Sequence, residues 1–279
     1  MQTIEQLIAK YQGARIKSVD DLKQIIREIQ ELRIYYDIME NYRGHSLVDY
    51  ELNCGLARYK LSPEEFIDAE SKLFKDFSYF TDNQLNYIRK PFGEEHEKPE
   101  LRNKWYALFQ AQHIGLKTRF MDWSIGWETA LMFAVENEKY FGHDGSLTVF
   151  LVPREQLFSS ERFSKVSLEV DPFELIDDMM INTPIYMIDN KFDYVGEKRL
   201  SRQTGRFWAQ SVEKSAIPLK KQPQYQNLLL ELIIDGEAKK TIKTELEKQG
   251  TTIDWHYYRK DENVDVEIKK INLKNLEIN

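Results

Sequence analysis

The chain has 279 residues, of which 42% are hydrophobic, so it has enough apolar material for a sizeable core. Its 46 acidic and 39 basic residues give a formal net charge of -7, which argues against general, charge-driven binding to nucleic acids or anionic membranes. With one cysteine, no secretory signal pattern and no apolar run of about 18 residues, we expect a cytoplasmic protein without a membrane span.

Apolar periodicity and turn signals divide the chain into helices and strands. Ser18 and the Ser62-Pro63-Glu64-Glu65 capping box mark two helix starts, and Gly115 and Gly250 mark two helix ends. The predicted helices cover residues 19–32, about 18 residues from 63, 101–114, 125–138, 172–180 and 237–249. The predicted strands cover residues 34–43, 145–153, 184–188, 206–210, 228–234 and 264–271, and residues 82–99 are predicted to form a loop.

Helices and strands are interleaved without a regular βαβ rhythm, so we predict an α+β fold. It should have a mixed, mostly antiparallel sheet with surrounding helices. No stretch is typical of a linker between domains, and we therefore predict a single compact domain over residues 1–279. N-terminal helices would lie within residues 2–32, and a strand-helix-strand unit would cover 227–272.

Two polar stretches are candidates for a functional site. The first is Tyr42-Arg43-Gly44-His45-Ser46, in which the predicted strand delivers Arg43 and Gly44 allows a sharp turn or the close approach of a ligand. The second runs over residues 112–124 with the sequence QHIGLKTRFMDWS and continues into ALMFA at 130–134. Two polar, glycine-containing stretches of this kind rarely occur in one chain without meeting, so we expect Arg43, His113, Arg119 and Asp122 to converge on one cleft.

The second stretch places several polar side chains between two helix ends. Ser124 is the predicted N-cap of the following helix, and the loop before it holds Thr118, Arg119 and Asp122. Arg119 and Asp122 stand three residues apart, within reach of a bidentate ion pair. Two interpretations remain open: the pair braces the loop, or Asp122 orients Arg119 toward an anionic ligand that the helix N-terminus also attracts.

The histidines do not form a metal-binding pattern. His113 lies in the last turn of its helix, where it is either a packed or C-capping residue or a ligand-binding and catalytic candidate. No HxxxH or CxxC spacing occurs, so we expect no metal site.

Together the two stretches resemble the FRG domain, which is named for an aromatic-Arg-Gly triplet. Tyr42 stands where the family name has Phe, and the run over 112–124 is similar to the family's QH-x-G-x-x-TR-x-x-DW-(S/T) pattern followed by an A-L-x-F-A helix. A later patch, Gln203-Thr204-Gly205-Arg206-Phe207, resembles a further family element, so the FRG region is expected over about 36–210.

The triplet is also similar, more distantly, to the aromatic-Arg-Gly that opens one branch of the ADP-ribosyltransferase fold. That resemblance implies NAD as the cofactor, Arg43 on the dinucleotide phosphates and Thr118 or Ser124 in the pocket. It also implies a late glutamate on the attacked ribose, but Gln203 stands there, and a glutamine can hydrogen-bond a hydroxyl without acting as a base. Glu197 and Glu231 are candidate substitutes.

Two functions therefore remain open at the level of sequence. The chain is either an ADP-ribosyltransferase-like enzyme or a non-catalytic module that binds a nucleotide or a partner, for example in a bacterial defence or toxin system. Both would use an arginine-lined pocket for a phosphate-bearing ligand. The candidate ligand-binding residues are Arg43, Gly44, His113, Thr118, Arg119, Asp122 and Ser124, and the catalytic candidates are His113 and Gln203.

Overall fold

The computed structural model describes residues 2–81, 94, 97–175, 177–182, 205–252 and 262–276. The helices in these ranges are α1 (Ile4–Tyr11), α2 (Val19–Leu32), α3 (Pro63–Phe80), α4 (Pro99–His113), α5 (Trp127–Val135), α6 (Ser160–Glu169), α7 (Val212–Ser215), α8 (Lys239–Lys248) and α9 (Glu262–Leu276). The strands are β1 (Arg15–Ile16), β2 (Ile38–His45), β3 (Met121–Ser124), β4 (Gly145–Pro153), β5 (Leu157–Phe158), β6 (Met179–Asn182), β7 (Gly205–Ala209) and β8 (Leu229–Ile234).

All eight strands join one mixed sheet in the order β1-β8-β4-β2-β3-β7-β6-β5. The outermost pair at each edge is parallel, and the pairs between them are antiparallel. Helices surround this sheet, so the predicted α+β class with a mostly antiparallel sheet is confirmed. The long strand β4 lies between β8 and β2 and is buried over all but its last residue, as its continuous apolar run predicts.

The local signals in the sequence explain most helix starts. Ser18 and Ser62 both accept a hydrogen bond from the backbone of the third helical residue, and Asp21 and Glu65 return the bond as capping boxes. The helix from residue 63 has the predicted 18 residues. Gly115, at φ +103°, follows the end of α4, as expected for a helix terminator.

Two predicted elements are wrong. Where a helix over 172–180 is predicted, Pro172–Glu174 form a short 3-10 turn and Met179 begins β6. Residues 264–271 belong to helix α9 rather than an edge strand. Val264 and Ile268, four residues apart, are buried, while Val266 between them is 51% exposed. The burial therefore follows the helical period and not the period of two from which the strand was predicted. The predicted strand at 184–188 and most of the predicted loop at 82–99 lie outside the described residues.

The two faces of the sheet have different partners. On the first face, α1, α2, α5 and α8 pack on β2, β4 and β8 and bury a cluster of mainly aliphatic residues. Helix α5 lies directly on the backbone of β2, since a Cβ added at Gly44 would come within 1.8 Å of the Ala130 carbonyl oxygen. On the second face, Leu52, Leu219 and Tyr225 cover aromatic residues of β3, β4 and β7.

The alternation of side chains along β2 determines which of them lie on each face of the sheet. Tyr42 belongs to the cluster on the first face, so Arg43 and His45 lie on the second.

No helix in the described ranges is long and apolar enough to cross a membrane.

Candidate functional site

Arg43 links two strands that are otherwise barely paired. Strands β2 and β3 meet only where Tyr42 lies opposite Ser124. The half-buried guanidinium of Arg43 donates from Nε to His45 Nε2 at 3.2 Å and from Nη1 to the backbone carbonyl of Asp122. Burial lowers the pKa of Arg43 to about 10, against the opposing effect of Asp122, so the side chain is still a cation at neutral pH.

Arg58 is a second cation near Arg43, and it connects Arg43 to a third, Lys117. The charge of Arg58 lowers the pKa of Arg43, and it also lowers the pKa of Lys117, for which burial is the larger cause. Arg58 is exposed and Lys117 is half-buried, and neither side chain makes a hydrogen bond or ion pair with a residue that the structure describes. Arg43, Arg58 and Lys117, here called the basic cluster, therefore concentrate positive charge in an acidic protein.

Asp122 lies at the edge of the basic cluster and is held by a short polar chain. Its exposed carboxylate accepts a hydrogen bond from Gln112 Nε2 at 2.8 Å, and Thr118 donates to Gln112 Oε1 at 2.5 Å. The Thr118 hydroxyl in turn accepts from the backbone N–H of Phe120 at 3.1 Å. Asp122 raises the pKa of both Arg43 and Lys117, so it favours their charged forms.

Arg119 does not join this site, and its predicted pairing with Asp122 is wrong. Its Nε donates to the two carboxylate oxygens of Glu70 at 3.0 and 2.8 Å, and Nη2 also reaches Glu70. Both side chains are deeply buried, at 2% and 3% exposure. Glu70 lies on the inward face of α3, 49 residues away, so no local pattern around Arg119 could predict this partner.

The remaining predicted site residues have other positions. Ser124 is the last residue of β3 and does not cap a helix, because α5 begins three residues later, at Trp127, with Gly126 as its N-cap. The space beside Gly44 is filled by α5, so a ligand cannot approach there. His113 is the last residue of α4, but its side chain and all of Gln203 lie outside the described residues.

His45 is a site residue that the sequence reasoning missed. It is 7% exposed, and its Nε2 accepts the hydrogen bond from Arg43, so the proton of the neutral ring lies on Nδ1. Nδ1 is buried and has no hydrogen-bond partner among the residues that the structure describes. The available signal was the period of the strand, because the residue two positions after Arg43 must lie on the same face.

A row of polar residues crosses three adjacent strands on the second face. Thr148 of β4 lies directly opposite Arg43, and Glu231 of β8 lies directly opposite Thr148. Directly opposed residues of antiparallel strands point to the same side, so all three share one face. Ser146 lies opposite His45 in the neighbouring row. Glu231 accepts a hydrogen bond from Lys220.

The family model for the FRG domain matches residues 40–142. The chain contains an FRG domain. No match was found among curated proteins or among solved structures. The matched region is shorter than the predicted 36–210 and does not include the patch at 203–207.

The FRG domain supplies the whole basic cluster. It runs from within β2 through α3, α4 and β3 to α5, and it includes Arg43, Arg58, Lys117 and Asp122. The strands that complete the polar row, β4 and β8, lie after it in the chain. The FRG domain thus provides the cations and Asp122, and later strands of the same sheet provide Thr148 and Glu231.

A cavity of about 580 Å³ lies elsewhere, between α3, residues 173–177 and α7. Its lining includes three carboxylates, from Glu174, Asp177 and Glu213, but only one cation, Lys214. This excess of carboxylates over cations does not suit an anionic ligand.

Among the described residues, no group of three or more His, Cys, Asp or Glu side chains is arranged to hold a metal ion.

The environment of His45 predicts a pH-dependent stability. Burial, followed by the charges of Arg43, Arg58 and Lys220, lowers its pKa from 6.5 to about 3. Between these two pH values the unfolded chain therefore binds more protons than the folded one. The contribution of His45 to the free energy of unfolding is complete above about pH 6.5 and falls as the pH drops toward 3. The slope is up to about 1.4 kcal/mol per pH unit. Urea denaturation between pH 5 and 7 should show this slope in the wild type and a flatter one in His45→Gln; equal slopes would contradict it.

Proposed function

We propose that this FRG-domain protein binds an anionic, phosphate-bearing small molecule at the basic cluster. One observation carries the proposal: Arg58 and Lys117 have no partner among the described side chains, yet Arg58 lies close enough to both Arg43 and Lys117 to lower the pKa of each. Like charges held close together raise one another's free energy, and the burial of Lys117 adds to this cost. A bound anion would relieve it.

The chemistry of the cluster favours phosphate over a simple carboxylate. Arg43 is fixed through Nε and Nη1, and its Nη2 makes no hydrogen bond to a described residue. A guanidinium held in this way can present planar donors to phosphate oxygens without losing much conformational freedom. Arg58 and Lys117 add two more cations for the remaining oxygens.

The proposal predicts that pyrophosphate binds to the wild-type protein and that its affinity falls as the salt concentration rises. The attraction is partly Coulombic, and exposed Arg58 is more strongly screened than the half-buried residues. Isothermal calorimetry at 50 and 300 mM sodium chloride tests both points, with uncharged glycerol as a control ligand. Absence of heat with pyrophosphate, or an affinity that is independent of salt, would contradict the proposal.

An ADP-ribosyltransferase-like activity on NAD is a second candidate, and the polar row favours it. Glu231 shares a sheet face with Arg43 and is separated from it by the single strand that carries Thr148. Glu231 could thus take the role that the family resemblance gives to a late glutamate and that Gln203 cannot fill. Lys220, its ion-pair partner, would hold the carboxylate in a fixed orientation.

A nicotinamide-release assay separates this candidate from a non-catalytic module. Release that Glu231→Gln abolishes without loss of NAD binding would support the enzyme. NAD binding to the wild type without release would support the binding module.

A further inference from the structure

Several buried polar atoms on the second face of the sheet have no hydrogen-bond partner among the described residues, including the indole Nε1 atoms of Trp123 and Trp208. Three of these atoms lie close together on β2 and β4: Nδ1 of His45, Oγ of Ser146 and Oγ1 of Thr148. Ser146 and Thr148 are fully buried, and His45 is 7% exposed. Buried polar groups are nearly always paired, because an unpaired one costs about 1–3 kcal/mol. Three in one place indicate that a partner belongs there.

These three residues form a compact patch, here called the neutral patch, next to Arg43. His45 lies opposite Ser146, and Thr148 lies opposite Arg43, so the four side chains occupy two neighbouring rows on β2 and β4. Neighbouring positions on one face of a sheet lie about 4.5–8 Å apart. One small molecule can therefore contact Arg43 and the neutral patch at once.

The donors and acceptors of the neutral patch define what it can bind. Because Nε2 of His45 accepts from Arg43, its Nδ1 offers a donor. The hydroxyls of Ser146 and Thr148 can each donate and accept. None of the three groups carries a charge in this arrangement, so they suit hydroxyl groups rather than a second phosphate.

We propose that the neutral patch binds the hydroxyl groups of a polyhydroxylated phosphate ester, such as a sugar phosphate, whose phosphate occupies the basic cluster. This inference rests on the proposed function and narrows its ligand class. Arg43 would bind the charged phosphate, and the ligand's hydroxyl groups would form hydrogen bonds with His45, Ser146 and Thr148.

Tyr50 lies against the His45 end of the neutral patch. Its ring packs edge-on against His45, with centroids 6.2 Å apart, and its hydroxyl lies 3.2 Å from that of Tyr140. Tyr50 is 42% exposed, so it is a partly exposed side chain lying against the buried histidine. Rotation of Tyr50 would uncover His45 for a ligand hydroxyl, at the cost of the hydrogen bond to Tyr140 and the edge-on ring contacts.

Ribose 5-phosphate and methyl phosphate test this inference by calorimetry. Both are phosphate monoesters of equal charge, but methyl phosphate lacks hydroxyl groups. We expect the wild type to bind ribose 5-phosphate about tenfold more tightly, which corresponds to one or two neutral hydrogen bonds. The double variant Ser146→Ala/Thr148→Val should lose that preference. Ser167→Ala, which removes a buried hydroxyl on α6, should keep it.

Each result distinguishes the patch from the basic cluster. Equal binding of both esters to the wild type, or an unchanged preference in the double variant, overturns the sugar-phosphate inference and leaves the proposed anion site standing. If neither ester binds, the proposed function fails and the inference falls with it. Thermal unfolding should show that the double variant is at least as stable as the wild type, because the removed hydroxyls have no partner.

Discussion

Replacement of Glu70 by alanine is expected to lower the free energy of unfolding by about 3–5 kcal/mol. The carboxylate of Glu70 is the ionic partner of Arg119, whose side chain is 2% exposed. Without it, the buried guanidinium would keep one acceptor in the described part of the chain, the Phe173 carbonyl at 3.3 Å, and Nη1 has no partner there even in the wild type. Arg119→Ala should cost a similar amount, because it leaves the Glu70 carboxylate buried and uncompensated.

Helix α3 offers a matched control for this prediction. Asp68 forms an ion pair with Lys72 on the same helix, but both side chains are about 60% exposed, at 62% and 60%. Such exposed pairs contribute about 0–1 kcal/mol, so Asp68→Ala should be nearly neutral. Urea denaturation monitored by circular dichroism compares the variants. Equal midpoints for Glu70→Ala and Asp68→Ala would show that the buried pair does not stabilise the fold.

Elements with local signals were predictable from the sequence. The capping boxes at Ser18 and Ser62 and the continuous apolar run of β4 specified their elements because each signal is contained within a few neighbouring residues. Helix α9 was mistaken for a strand because its apolar residues fit a period of two as well as the helical period. The burial of its side chains in the structure shows that the helical period is the correct one.

The site was less predictable because its contacts are not local. Arg43 was identified from its motif, but its neighbour Arg58 carries no motif and comes close only through the fold. The ion pair of Arg119 with Glu70 depends on how α3 packs, and the alignment of Thr148 and Glu231 with Arg43 depends on strand order. The predicted single domain over 1–279 stays a prediction.

Arg43→Lys is expected to weaken pyrophosphate binding at least about tenfold, although the charge is kept. Lysine carries one compact ammonium group and cannot hold His45, the Asp122 carbonyl and a phosphate with a planar fork. A loss of one bidentate, charge-assisted contact corresponds to about 1.5–3 kcal/mol. Arg154→Lys is the matched control, because Arg154 is about half exposed and pairs with Asp37 outside the basic cluster.

Arg58→Ala provides a second variant that should fold normally, because Arg58 is exposed and makes no hydrogen bond or ion pair within the described residues. It should weaken pyrophosphate binding less than Arg43→Lys and reduce the dependence on salt, since one cation is lost from the site. Circular dichroism of each variant separates a loss of binding from a loss of structure.

The most direct test of the basic cluster is therefore one calorimetric series, in which pyrophosphate is titrated into the wild type, Arg43→Lys, Arg58→Ala and Arg154→Lys at low salt. The account predicts tight binding to the wild type and to Arg154→Lys, weaker binding to Arg58→Ala and the weakest binding to Arg43→Lys. Four equal affinities, or no binding to a folded wild type, would contradict it.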